Sequence, residues 1–324
     1  MNNVNINEVG SIIQDTQPGN WDNKAYNYAL KSLLDRGQEI NSSILYDGGL
    51  FTTYFRVMKQ YLPELPIQTL EVGPGRSIGA SIMLAIRGVK EAHTMDPFPN
   101  LNFDIESFAE TMRSLARTTA FLNQLANGHA SPSGQEAGRR FQDASVSDLI
   151  VPECRLLAEN QFRVGNNTVT HFPHRFFEDT GLAGNAYDFI FSHAALEHVR
   201  NPEHCIHELS RLLKAGGVTA HQIDLRDHRD FNNPLEFLKD SEESWQKTAA
   251  AMCSSDGALY MNRWRRSQWI QAFRDQGFEV LESETNMKWD KSKVQETLPL
   301  LHKDFQSNLE DLESISMFLV ARRK

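Results

Sequence analysis

The sequence predicts an α/β protein built around a mostly parallel sheet, and three features point there. Short apolar strands alternate with amphipathic helices, a glycine-rich turn joins the first strand to a helix, and an acidic residue closes the second strand. Strands that alternate with helices pair in parallel through right-handed crossovers.

In chain order, residues 1–20 are polar. From Trp21 to Leu62 the pattern is helical, with Phe51, Tyr54, Phe55, Met58, Tyr61 and Leu62 at three- and four-residue spacing until Pro63 and Pro66 end the stripe. Such a stripe packs a helix on the sheet or builds a substrate lid. Gln68–Val72 reads as a buried strand, Ser77–Ile86 as a helix closed by Gly88, and Ala92–Asp96 as the second strand. Pro97 to Asn166 then separates this strand from the next at Thr168–Phe172, far more chain than a crossover needs. Ile105, Phe108, Met112, Leu115 and Leu122 repeat there at helical spacing, and residues 131–138 form a Gly/Ser-rich loop. The stretch at about 97–166 is therefore expected to be an inserted helical cap.

Tyr187–Ser192 is the fourth strand. Asn201 caps the next helix, Pro202 takes its first position, Ile206, Leu209 and Leu213 form its inner face, and Gly216 stops it. Val218–Asp224 is the fifth strand, followed by a polar, Trp-containing stretch from Leu225 to Asn262. A helix at Ser267–Gln276, a sixth strand at Phe278–Ser283 and a last strand at Ile315–Ala321 complete the chain. The expected division is an N-terminal helical segment, 1–66, and a main domain, 67–324.

Composition narrows the function classes. Of 324 residues, 40% are hydrophobic and 23% charged, enough to pack a core. The net charge of −9 speaks against a nucleic-acid substrate, which calls for a positive field. Three widely separated cysteines, Cys154, Cys205 and Cys253, suggest reduced thiols rather than a disulfide scaffold. The start MNNVNINEVG has no basic-then-apolar pattern of a signal peptide, and no apolar run approaches the roughly 20 residues of a bilayer span. A cytoplasmic protein with a small-molecule substrate, no nucleic acid and no membrane partner is expected; the oligomeric state is left open.

The strongest local signal is Leu70–Gly79, LEVGPGRSIG. Gly73 and Gly75 let the backbone turn tightly and approach a ligand without a Cβ in the way. Glu71 stands at the end of the first strand, and Asp96, at the end of the second, is placed to accept both ribose hydroxyls of a nucleoside. Alone, this pattern fits a dinucleotide-binding oxidoreductase or epimerase equally well.

Further along, YDFIFSHAALEHV crosses the fourth strand and ELSRLLKAGG precedes the fifth. With E-x-G-x-G and the acid of strand two, these segments resemble, in order, the class I S-adenosylmethionine-dependent methyltransferases over about Thr69–Asp224. The resemblance implies a Rossmann-like seven-stranded sheet of order 3-2-1-4-5-7-6 with an antiparallel final strand. It implies S-adenosylmethionine as cofactor and methyl transfer to an O or N atom of a natural-product or sugar-like small molecule; the alternative is a NAD-dependent oxidoreductase or epimerase. Carried over, Gly73 and Gly75 would lie against the methionine and ribose parts, Glu71 would face the amino group, and Asp96 would hold the ribose. Pro97 and Phe98 would flank the adenine, and Ser192 and His193 would border the methionine end. The acid that often reads the adenine amine after strand three is missing from HFPHRFFED.

The sulfonium makes the methyl group electrophilic, so alignment and exclusion of water supply much of the rate, and a base serves a protonated nucleophile. His221 and His193, at strand ends, are the expected catalytic bases. Asp224, Arg226 and His228, in the polar run HQIDLRDH, are the expected substrate contacts. No metal is assigned, although Glu197 and His198 resemble part of the E-x-x-E-H metal motif of ubiquinone-pathway and small-RNA 2′-O-methyltransferases. Ala194 replaces its first glutamate, and His221 or Asp224 could complete such a set. Arg263, Arg265 and Arg266 offer either a carboxylate- or phosphate-binding cluster or a solvated helix start.

Overall fold

The computed structural model describes residues 44–98, 101, 103–113, 150–255, 260–306 and 308–324. The helical pattern before residue 44, and Leu115, Leu122 and the 131–138 loop of the expected cap, lie outside these. By its internal contacts the chain divides into two compact units, one formed by Met1–Arg56, Arg76–Lys90 and Leu101–Thr170, the other by Val57–Gly75, Glu91–Asn100 and His171–Lys324.

The first unit holds most of helix α1 (Ile44–Tyr61), helix α2 (Gly79–Ile86) and a helical stretch at 105–113. Phe51, Tyr54, Val57 and Met58 of α1 are buried, as the apolar stripe requires, and Phe55 stacks on Phe51 with ring centroids 5.2 Å apart. Three elements converge at Gly79, where a Cβ would lie 2.2 Å from Asp47 Oδ2 and 2.7 Å from Phe108. Strands β3 (Cys154–Ala158) and β4 (Gln161–Val164) form an antiparallel hairpin, and β4 pairs antiparallel with the start of β5 (Asn167–Pro173). The expected helical cap is thus corrected at its C-terminal end, which is β-structure. Its turns use Asn160 and Gly165, both at positive φ.

The second unit carries the main sheet: the end of β5, then β2 (Glu91–Asp96), β1 (Gln68–Val72), β6 (Tyr187–His193), β7 (Leu213–Asp224), β9 (Ser314–Arg323) and β8 (Phe278–Lys288). Numbered in the expected seven-strand scheme this is 3-2-1-4-5-7-6. Strands β3 and β4 are additions to that scheme. β1 pairs in parallel with β2 and β6, and β6 with β7, whereas β9 runs antiparallel to both β7 and β8. Helix α3 (Pro202–Leu212) has the predicted cap, with Asn201 Oδ1 accepting from His204 N at 3.0 Å. With α5 (Arg266–Asp275) it seals the main core, in which Ile190, Leu209, Trp269, Phe273 and Leu319 are buried.

The stretch read as polar folds into a core of its own. Helix α4 (Glu242–Ser255), α6 (Lys291–Thr297) and α7 (Leu309–Glu313) surround Leu235, Phe237, Leu238, Trp245, Val294, Leu301 and Leu312. Trp245 Nε1 donates to the Met261 carbonyl at 2.9 Å.

Candidate active site

The glycine turn leaves β1 with Gly73 at φ 70° and Gly75 at φ 66°, a region costly to other residues. Gly73 N donates to the Met95 carbonyl at 2.9 Å, tying the turn to β2. A Cβ on Gly73 would stand 2.7 Å from Ala195 Cβ, so the turn and the segment after β6 touch where only glycine fits. Asp96 is buried, and its carboxylate accepts from Gly75 N at 3.1 Å and Phe98 N at 2.8 Å. Burial raises its pKa and these two bonds oppose that rise. Pro97 is half-buried and Phe98 exposed, while Glu71 is buried at the end of β1. Six of the expected cofactor residues, Glu71, Gly73, Gly75, Asp96, Pro97 and Phe98, thus lie at the carboxyl ends of two adjacent strands.

On the other side of the turn, β6 ends in Ser192 and His193, and Ala194 adopts φ 51°, unusual for a residue with a Cβ. This left-handed residue bends the chain into a short 3-10 turn, Leu196–His198. Two residues that sequence reasoning missed hold that turn. Asn262 donates from its side chain to the Leu196 carbonyl at 2.8 Å, and the Tyr260 carbonyl lies 2.7 Å from His198 Nδ1. Their signal was faint, a Tyr and an Asn just ahead of an arginine cluster.

The expected catalytic pair separates. His221 is fully buried within β7; Nδ1 lies 2.7 Å from Ser192 Oγ and Nε2 2.5 Å from Thr219 Oγ1, with the ring near Phe273. Burial depresses its pKa to about 3. Both ring nitrogens of this expected base are engaged inside the core. His193 is half-buried at the strand end; burial lowers its pKa, and the Asp224 charge opposes that shift.

The expected substrate contacts do converge. Arg226 donates from Nε to Asp224 Oδ1 at 2.9 Å and from Nη2 to Oδ2 at 2.6 Å, and His228 Nε2 lies 3.4 Å from Asp224 Oδ2. Burial works against the Asp224 charge, yet His228 and Arg226 outweigh it and hold the carboxyl well below its usual range. Phe231 lies under the Arg226 guanidinium at 4.4 Å and beside the His228 ring at 5.5 Å. His228 also meets the His198 ring edge-on at 5.1 Å. Glu197, next to His198, is only 2% exposed; its side-chain oxygens have no hydrogen-bond partner among the described residues, and Oε1 lies 4.0 Å from His198 Nε2.

The arginine cluster is spent on the scaffold. Arg263 donates to the carbonyls of Phe237 and Asp240, Arg265 to those of Leu225, Asp311 and Ser314, and Arg266 to that of Ser283. Arg263 and Arg265 are buried, and burial pulls Arg265 down to about 10.

A family described as a methyltransferase domain matches residues 46–283, most of the chain. The chain belongs to this methyltransferase family. Its cofactor is S-adenosylmethionine, and the enzyme is an S-adenosylmethionine-dependent methyltransferase of the class I fold. Nothing found supports the nicotinamide alternative. Among solved structures, geranyl diphosphate methyltransferase in complex with SAM is 12% identical, with 97% of this chain and 94% of that one covered and a TM-score of 0.42. An S-adenosylmethionine-dependent methyltransferase from Mesorhizobium loti is 12% identical over 83% of this chain and 97% of that one, with a TM-score of 0.41. No curated protein matches the chain. Among the described residues, no helix is long and apolar enough to cross a membrane.

The site residues fit the cofactor on their own chemistry. A glycine turn that a Cβ would block and a buried carboxylate at the next strand end suit a nucleoside with a polar tail. The exposed Phe98 ring offers a face for the adenine.

Proposed function

We propose that this enzyme methylates an oxygen or nitrogen nucleophile of a small molecule, with a sugar-like or natural-product acceptor the best fit. The observation that carries this reading is the polar group at the carboxyl ends of β6 and β7. His193 follows one strand, Asp224, Arg226 and His228 follow the other, and Ala195 links this corner to the glycine turn. Ligands of open α/β sheets bind at this end.

In this reading the bound cofactor supplies an electrophilic methyl group. Glu71, Gly73, Gly75 and Asp96 hold its methionine and ribose parts, Pro97 and Phe98 flank its adenine, and the Ser192 backbone borders its methionine end. His193 accepts the proton of the acceptor, since burial favours its neutral form and Asp224 keeps it basic. The Asp224–Arg226 pair and His228 orient the acceptor through polar contacts. His221 positions β6 against β7 through Ser192.

Transfer of label from methyl-labelled cofactor into the small-molecule fraction of an extract tests the reading. His193→Ala should lower the transfer rate about 10²–10⁴-fold, the range for loss of a general base. Adenosylhomocysteine affinity should stay within a few fold. Label recovered only in protein or nucleic acid overturns the acceptor class, and normal turnover of the variant removes His193 as the base.

A further inference from the structure

Glu197, His198 and His228 stand out because nothing in the fold explains them as a set. Among the described residues they form a cluster whose ligand atoms all lie within 4.8 Å of one another. The chain brings positions 197–198 and 228 together by ending β6 and β7 side by side.

Three observations point to a cation. Glu197 is buried, its oxygens have no hydrogen-bond partner among the described residues, and His198 Nε2 stands 4.0 Å from Oε1, a costly placement for a carboxylate. The Tyr260 carbonyl fixes His198 through Nδ1, which leaves Nε2 as the ligating nitrogen, the usual outer support of a metal-bound histidine. Asp224 Oδ2 stands 3.4 Å from His228 Nε2, an ion-pair distance from which it can support that ring.

We propose that Glu197, His198 and His228 bind a divalent first-row transition ion, with Asp224 and the Tyr260 carbonyl as its outer supports. Two imidazoles and one carboxylate suit such an ion and leave coordination positions open for oxygen ligands. Bonds of about 2.0–2.2 Å would draw the ligand atoms closer together than the 4.8 Å within which they lie here. His228 takes the place of His221, which stays in the core. If the acceptor reading above holds, an acceptor hydroxyl on an open position would lose its proton more readily.

The test uses the full chain, stripped with a chelator and titrated with Co²⁺, followed by visible d–d absorption and by calorimetry. One saturable equivalent is expected. Glu197→Gln and His228→Gln should each weaken it at least about 10-fold, the scale of losing even a supporting partner. His207→Gln, on the exposed face of α3, should leave binding unchanged. Adenosylhomocysteine affinity, measured on the same samples, reports folding and the cofactor site separately. Should Glu197→Gln fail to fold, the half-exposed His228 carries the test. Absence of a saturable equivalent, or binding that survives His228→Gln or is lost in His207→Gln, overturns the site. A failed acceptor assay with intact Co²⁺ binding would overturn only the acceptor reading.

Discussion

Gly73 and Gly75 both have positive φ, but only one of them faces a wall. A methyl on Gly73 meets Ala195 Cβ at 2.7 Å, whereas among the described residues nothing lies within 4 Å of a methyl on Gly75. Gly75→Ala therefore carries only the backbone penalty, roughly 1–2 kcal/mol. Gly73→Ala adds a clash against a chain held by Asn262, for a further ~1–3 kcal/mol. Adenosylhomocysteine calorimetry with urea unfolding should show Gly73→Ala as the more damaging change by about tenfold or more in affinity. Equal losses would mean that the Ala195 contact is not decisive. Both glycines were legible in the sequence because their role lies in the backbone. His221, an expected base, lies buried in the core, and the alternation of side chains along a strand sets it apart from Asp224. Side chains alternate along a strand, so His221 and Asp224, three apart, point to opposite faces. His221 shares a face of the strand with Thr219, and Asp224 takes the other.

Among the elements, α2 shows how a glycine is held in a helix by its neighbours. Gly79 opens the helix, and alanine there would ordinarily gain about 0.5–1 kcal/mol. The added methyl would instead overlap Asp47, which also accepts a hydrogen bond from Ser77 Oγ at 2.7 Å, and Phe108. Overpacking of ~1–3 kcal/mol exceeds the propensity gain, so Gly79→Ala should be net destabilising in urea unfolding. A stabilised variant would show that α1, α2 and the 105–113 helix do not meet as described. The stripe of α1 and the strands of the main sheet were readable because apolar periodicity is local. The β3–β4 hairpin was not read: its strands are four and five residues long, and the surrounding helical spacing dominated. The turn pairs Glu159–Asn160 and Gly165–Asn166 were the available signal. The proposed cation cluster was half legible. Glu197 and His198 adjoin in sequence, but only the parallel pairing of β6 and β7 selects His228 over His221 as their partner.

Over the whole molecule, buried neutral histidines make stability depend on pH. Burial holds His171 at about 4 and His221 at about 3. Each shares hydrogen bonds with neighbouring hydroxyl groups, His171 with Thr94 and His221 with Ser192 and Thr219. In the unfolded chain both titrate near 6.5. Between 6.5 and their folded values the unfolded state binds more protons, so folding stability rises with pH across that window. The contribution is fully present above 6.5 and is lost as the pH falls toward about 4 and then about 3. At pH 5 each histidine removes roughly 2 kcal/mol, about 4 kcal/mol together, a large share of the ~5–15 kcal/mol typical of a folded protein. Urea unfolding at pH 7.5 and pH 5 should therefore show a clear drop at the lower pH. His171→Gln, which cannot titrate and can still pair with Thr94, should reduce that drop by roughly 2 kcal/mol, whatever its effect at pH 7.5. A stability that stays level between the two pH values, or a drop untouched by the substitution, would show that these histidines are not buried neutral in the folded protein.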